Sequence, residues 1–220
     1  MPPSSYVSVR RSIRWLPGEA MEPTHTIVLT EGKTGAFLDV RFLKDSSDLE
    51  WAFAGYRHKI SEDTVKFTHH IDSRTLTPLE VKDIGKNISL ENGQTLESGE
   101  MVNPETGQMT AYEEIWEDIQ VVQHEESAST KSNIFIKNIG GTKWQAVVEN
   151  WQLALGRDQD GVFWAWQAVK VSETGNEEKK VWKVIYSSPA GQRKIVFLPK
   201  ETEIWRKESV EWNNDFWQFV

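Results

Sequence analysis

Phe37-Leu38-Asp39-Val40-Arg41-Phe42 is the stretch on which the fold turns. Leu38, Val40 and Phe42 alternate with Asp39 and Arg41, and a period of two places successive side chains on opposite faces of a strand. The spacing predicts a half-buried strand, not a helix. Neighbouring runs read the same way: Val65, Phe67, His69 and Ile71 share one face, with Lys66, Thr68, His70 and Asp72 on the other. In the first run Val7, Val9, Ile13 and Trp15 lie on one side with Arg11 among them, and Ser8, Arg10, Ser12 and Arg14 lie opposite. Turn signals such as Pro17-Gly18, Asn92-Gly93, Gly140-Gly141 and Asp160-Gly161 break these runs at short intervals, which favours meandering hairpins over βαβ units. Even the acidic run Met109–Ile119 reads as a strand.

The fold class expected is therefore all-β, with two tandem antiparallel meander barrels. A length of 220 residues suits two domains of roughly 100 to 120 residues each. Apolar periodicity is lost only around Gln123–Ser132, so the expected organisation is a first barrel over 1–122, a linker over 123–132 and a second barrel over 133–220. In the second half the apolar set slips by one residue between Trp144-Ala146-Val148 and Trp151-Leu153-Leu155, which predicts a bulge or corner near Glu149 and Asn150. Ile195 and Phe197 share a face as a further strand, and Trp212 to Val220 closes or edges the sheet.

Composition excludes several functions. The net charge is −8 with Lys and Arg dispersed among the acids, so a phosphate-tracking surface, and with it nucleic acid, is not expected. The absence of Cys removes disulfides, thiolate metal sites and a cysteine nucleophile. No window approaches a membrane span and Met1-Pro2-Pro3-Ser4-Ser5 holds no apolar leader, so an intracellular address is expected. Gly32-Lys33-Thr34-Gly35 fails as a phosphate loop, because Ile27 stands where a Walker glycine is needed. No other enzyme motif is present, and a non-enzymatic protein without cofactor is expected.

Four groups of residues carry chemistry worth weighing. His69 lies on an apolar face, but adjacent His69 and His70 point oppositely and cannot chelate one ion, so a structural histidine and no metal site are expected. Arg11 with Glu113 and Glu114 could form a buried pair; a cation snorkelling at the barrel rim is the expected arrangement. The acidic run Glu113, Glu114, Glu117 and Asp118 reads as a solvated face. Trp151, Trp164, Trp166 and Trp182 fall on neighbouring strands of the second domain and form either a solid core or the lining of a small apolar-ligand site.

Leu49-Glu50-Trp51-Ala52-Phe53-Ala54-Gly55 resembles a signature of the fungal Hri family, with looser matches at Glu114-Ile115-Trp116, Asn150-Trp151-Gln152 and Glu211-Trp212. The resemblance implies two consecutive lipocalin-like β-barrels in a non-enzymatic protein-interaction module of the cytoplasm, and also of the nucleus, that associates with a casein-kinase-I-type kinase. Carriage of a small apolar ligand in a barrel cavity is the alternative. Within the signature, Trp51 and Phe53 are expected to point inward while Ala52, Ala54 and Gly55 let a neighbouring element approach. The kinase association draws attention to Ser129, three residues after Glu126, as a phosphorylation site in the linker.

Overall fold

The computed structural model describes residues 4–119, 133–173, 176–199 and 209–220. The expected linker, and Ser129 with it, falls outside them. The first sheet is a meander of β1 (Tyr6–Trp15), short β2 (Ala20–Met21), β3 (Thr24–Thr30), β4 (Ala36–Leu43), β5 (Leu49–Lys59), β6 (Thr64–Asp72), β7 (Asp83–Ser89), β8 (Thr95–Val102) and β9 (Met109–Ile119). Strand β9 returns to pair with β1 from Val7↔Ile119 to Trp15↔Tyr112 and closes an eight-stranded antiparallel barrel. Closure leaves the barrel strands without free edges.

The second sheet comprises β10 (Ile134–Asn138), β11 (Lys143–Val148), β12 (Trp151–Arg157), β13 (Phe163–Glu173), β14 (Asn176–Ser187), β15 (Ser209–Trp212) and β16 (Asp215–Phe219). Its order is β14-β13-β12-β11-β10-β16-β15, and it is open among the described residues, which corrects the expectation of a second barrel. Both of its faces are covered without closure. One face rests on the outside of the barrel, and the other is roofed by the segment after β14, where Ile195 and Phe197 pack on Trp166 and Trp182. That roofing segment is a 3-10 turn (Gly191–Lys194) followed by irregular chain, so Ile195 and Phe197 do not form the expected strand.

Sheet and barrel share one core. Ile27, Leu29, Leu38, Val40, Phe42, Ala52 and Ala54 from the barrel's outer face meet Phe135, Trp144, Ala146, Val148, Leu153, Leu155 and Ala165. Polar stitches cross the same seam: the Gln167 amide donates to the carbonyl oxygens of Val40 (2.7 Å) and His25 (3.1 Å), and Arg157 donates to that of Asp72 (2.7 Å). The small residues of the 49–55 stretch serve as expected, since fully buried Ala52 and Ala54 admit the second sheet. A Cβ on Gly55 would come within 1.8 Å of the Thr68 carbonyl oxygen, so only glycine lets β6 approach there.

Four register shifts, three in the barrel and one in the second sheet, decide which face the residues beyond them take. The β1–β9 register slips between Arg10 and Ser12 and leaves Arg11 unpaired, so Ser8, Arg10, Ile13 and Trp15 face inward instead of sharing a face with Val7 and Val9. Glu50 is skipped where β4 meets β5, and His70 where β5 meets β6. The second skip separates His69, which turns inward, from Ile71, which joins the core outside the barrel. Ile185 is skipped between β13 and β14, which throws Tyr186 onto Phe42 while Trp182 and Val184 stay under the roof. A bulge places two residues opposite one, and every residue beyond it changes face. The slip foreseen at Glu149 and Asn150 is a turn between two strands and not a bulge within one: Val148 pairs with Trp151 across a tight hairpin, with Glu149 at φ 52°.

Candidate functional site

The barrel interior is charged. Arg10 donates to Glu114 at 2.5 Å and to Glu22 at 2.9 Å; Arg41 donates to Asp39 at 2.7 Å and to Glu114 at 3.5 Å. The Arg41 guanidinium also lies 4.8 Å from the Trp51 ring centroid, a cation–π contact. Burial works against both guanidinium charges, and the facing carboxylates outweigh it, so both arginines are held above their ordinary pKa. These residues overturn one expectation, the solvated acidic face, and put the buried pair on Arg10 where Arg11 was weighed for it. Arg11 is exposed and pairs with Glu117, while Arg10 makes the buried pair; Glu114 is fully buried and belongs to no solvated face.

His69 is structural. It offers Nδ1 to Asp72 at 2.7 Å and Nε2 to Asp83 at 3.0 Å, and Trp51 donates to the other Asp72 oxygen at 2.9 Å. Carboxylates only accept, so a ring serving both donates from both nitrogens as an imidazolium. Burial opposes that charge, and the two carboxylates overcome it and raise the His69 pKa. The skipped His70 makes this possible, because it brings His69 and Asp72 to the same side of β6. No cluster of three metal-ligating side chains occurs among the described residues.

Arg41 and its partners divide the interior into two ends. At one, a cavity of about 280 Å³ is lined by Trp15, Met21, Trp51, Arg74 and Met101 among others, and its cations Arg10 and Arg74 are engaged by Glu22 and Glu50. At the other, a mouth of about 120 Å³ is walled by Phe37, Phe53, Phe67 and Trp116 and edged by Tyr6, Arg57, Asn87 and Asp118. Glu97 lines this mouth. Its Oε1 accepts from the Tyr112 hydroxyl at 3.1 Å, and its Oε2 has no partner in the structure. The Trp116 indole nitrogen is buried without a partner and lines the same mouth. Among the described residues the other buried orphan is the Gln152 amide in the second sheet, which lines none of the three cavities described. Gly85 makes room for Glu97, since a Cβ there would stand 2.7 Å from the Glu97 carboxyl carbon.

Burial, then the negative charges of Glu114 and Asp83, push the Glu97 carboxyl up to about 8. Between about pH 4.5 and 8 the native state therefore keeps a proton that the unfolded chain has released, and stability falls as pH rises across that window. Glu97→Gln is isosteric with the protonated acid. The variant is expected to match the parent near pH 5 and to gain on it towards pH 8, by up to about 1.4 kcal/mol per pH unit. Urea midpoints of both proteins against pH measure this; parallel curves would rule it out.

The four tryptophans do not converge. Trp164, Trp166 and Trp182 pack under the roof with Ala154, Val184 and Phe197, Trp166 donating to the Lys194 carbonyl oxygen at 3.3 Å. Trp151 lies on the opposite face, 6.3 Å from the His25 ring. None of them lines a described cavity. Alternation along the sequence conveyed none of Glu97, Tyr112 or Trp116 as a site, because lumen-facing and solvent-facing polar residues look alike in one strand.

Fold and site together define a class: an all-β protein whose closed meander barrel has a charged interior and one polar, ring-walled mouth, braced by an open sheet. The family model described as Protein HRI1 matches residues 6–220, and the chain belongs to that family. The crystal structure of an uncharacterized Saccharomyces cerevisiae protein, YLR301w, is similar with a TM-score of 0.72 at 14% identity, covering 99% of this chain and 98% of that one. No curated protein matches. Among the described residues no helix is long and apolar enough to cross a membrane.

Proposed function

We propose that the protein is a non-catalytic binding protein whose ligand occupies the barrel mouth. One observation carries this reading: the Trp116 Nε1, buried without a partner, and Glu97, whose Oε2 makes no hydrogen bond, line one ring-walled cavity. A buried polar group left unpaired costs about 1–3 kcal/mol, a cost that a ligand offering matching groups offsets. The remaining interior charges are engaged with one another, which makes a rigid floor. A wholly apolar ligand fits poorly, since it would desolvate carboxylates and pair with none. Association with a casein-kinase-I-type kinase is a separate reading that rests on the family resemblance and on Ser129.

The test is a screen of ring-sized polar fragments followed by ¹⁵N NMR. Hits are expected to shift the Trp116 indole N–H and the amides of Asn87 and Thr95. Hits that perturb only the second sheet, or no hits at millimolar concentration, would overturn the assignment.

A further inference from the structure

We infer that the mouth takes a small organic ammonium carrying a hydrogen-bond acceptor, its cationic end at Glu97 and its acceptor at the Trp116 indole. The inference rests on the mouth being a ligand site and adds the ligand's charge. Charge accounting is the first support. The carboxylates that line the mouth are Asp39, Asp83, Glu97 and Asp118, and Glu114 lies directly across the strand pair from Glu97. Against them stand Arg41, already held by Asp39 and Glu114, and Arg57, exposed at the rim and bonded to the Tyr6 hydroxyl. Asp83 is engaged by His69 and Asp118 by the Ser8 hydroxyl, each through one oxygen, and both are less buried than Glu97, whose Oε2 makes no hydrogen bond.

The second support is the wall. Phe37, Phe53, Phe67 and Trp116 surround the cavity, and ring faces favour an ammonium over an anion. The two groups set the ligand's polarity: Glu97 offers an acceptor when ionised, and the unpartnered Trp116 indole nitrogen offers a donor. Size is the third. A volume of about 120 Å³ is of the order of cavities that admit one benzene ring. A metal ion is the less fitting cation, because no cluster of three metal-ligating side chains occurs among the described residues.

Proton linkage follows from the geometry. The groups facing Glu97 are Glu114 and Tyr112 on β9, Asp83 on β7, Arg41 and Asp39 on β4, and Arg10 on β1, which pairs with Glu114. The carboxylates among them hold its proton on, and an ammonium arriving at Oε2 favours the ionised form. Binding near pH 7.5 therefore releases protons.

Three probes of one shape separate the possibilities: tyramine, its neutral analogue tyrosol, and the anion 4-hydroxyphenylacetate. Tyramine is expected to shift the Trp116 indole N–H, to bind at least about tenfold tighter than tyrosol, and to give calorimetric heats that differ between buffers in the sense of proton release. Glu97→Gln is expected to bring tyramine to the affinity of tyrosol. If that variant does not fold, Asp118→Asn at the rim is expected to weaken tyramine two- to threefold and leave tyrosol unchanged. Tyrosol or the anion binding as tightly as tyramine, with Trp116 shifted, overturns the cation and keeps the mouth as a site. Silence of the Trp116 signal with all three overturns the cation and the site together.

Discussion

Arg41→Met is expected to destabilise the protein by about 3–5 kcal/mol, the largest effect of any single change to the barrel interior. The reason is not the lost attraction alone. Arg41 is buried, bonds Asp39 in a fork, reaches Glu114 and stacks on Trp51. Removing it leaves Asp39 buried without its paired guanidinium and with only the more distant Arg10 to offset its charge, and burial already pushes that carboxyl above its ordinary range even with Arg41 present. The double variant Arg41→Met/Asp39→Asn is expected to recover part of the loss, because it removes the stranded charge along with its partner. Urea unfolding of both variants measures the coupling. A loss below about 1 kcal/mol for the single variant would show that the layer is hydrated and that Arg41 does not floor the mouth.

Trp144→Ala is expected to cost about 3–5 kcal/mol and to loosen both halves at once. Trp144 is fully buried on β11, edge-on to Tyr56 of the barrel at 5.8 Å, with the Lys137 ammonium 5.2 Å from its ring. It sits in the core that the outer barrel face and the second sheet share. Without that sheet, Ile27, Leu29, Leu38, Val40 and Phe42 would form a bare apolar face, so neither half has a complete core of its own. Hydrogen exchange of β4 and β12 amides should therefore accelerate together, and thermal unfolding should remain a single transition. Two separate transitions, or exchange that quickens only in β12, would mean the halves are autonomous.

Much of the strand content was legible because alternation is local. Phe37–Phe42 and Met109–Ile119 became strands as their spacing indicates, and Trp51 and Phe53 face inward while Ala52 and Ala54 admit a neighbour. The charged layer was not legible. Asp39 and Arg41 carry the pattern of a solvent face, yet they are buried in the lumen, because in a barrel braced by a second sheet both faces of β4 are covered. A period of two separates faces and does not say which is wet.

The sequence by itself determined an all-β meander, the strand positions, the absence of thiol chemistry and the close-packing residues of the 49–55 stretch, since each follows from short-range pattern or composition. Only the tertiary structure decided that the first sheet closes and the second stays open, that the skipped Arg11, Glu50, His70 and Ile185 reverse the faces beyond them, and that Glu97 and Trp116 meet in one mouth. Those outcomes depend on register between strands up to about a hundred residues apart, where one skipped residue exchanges inside for outside.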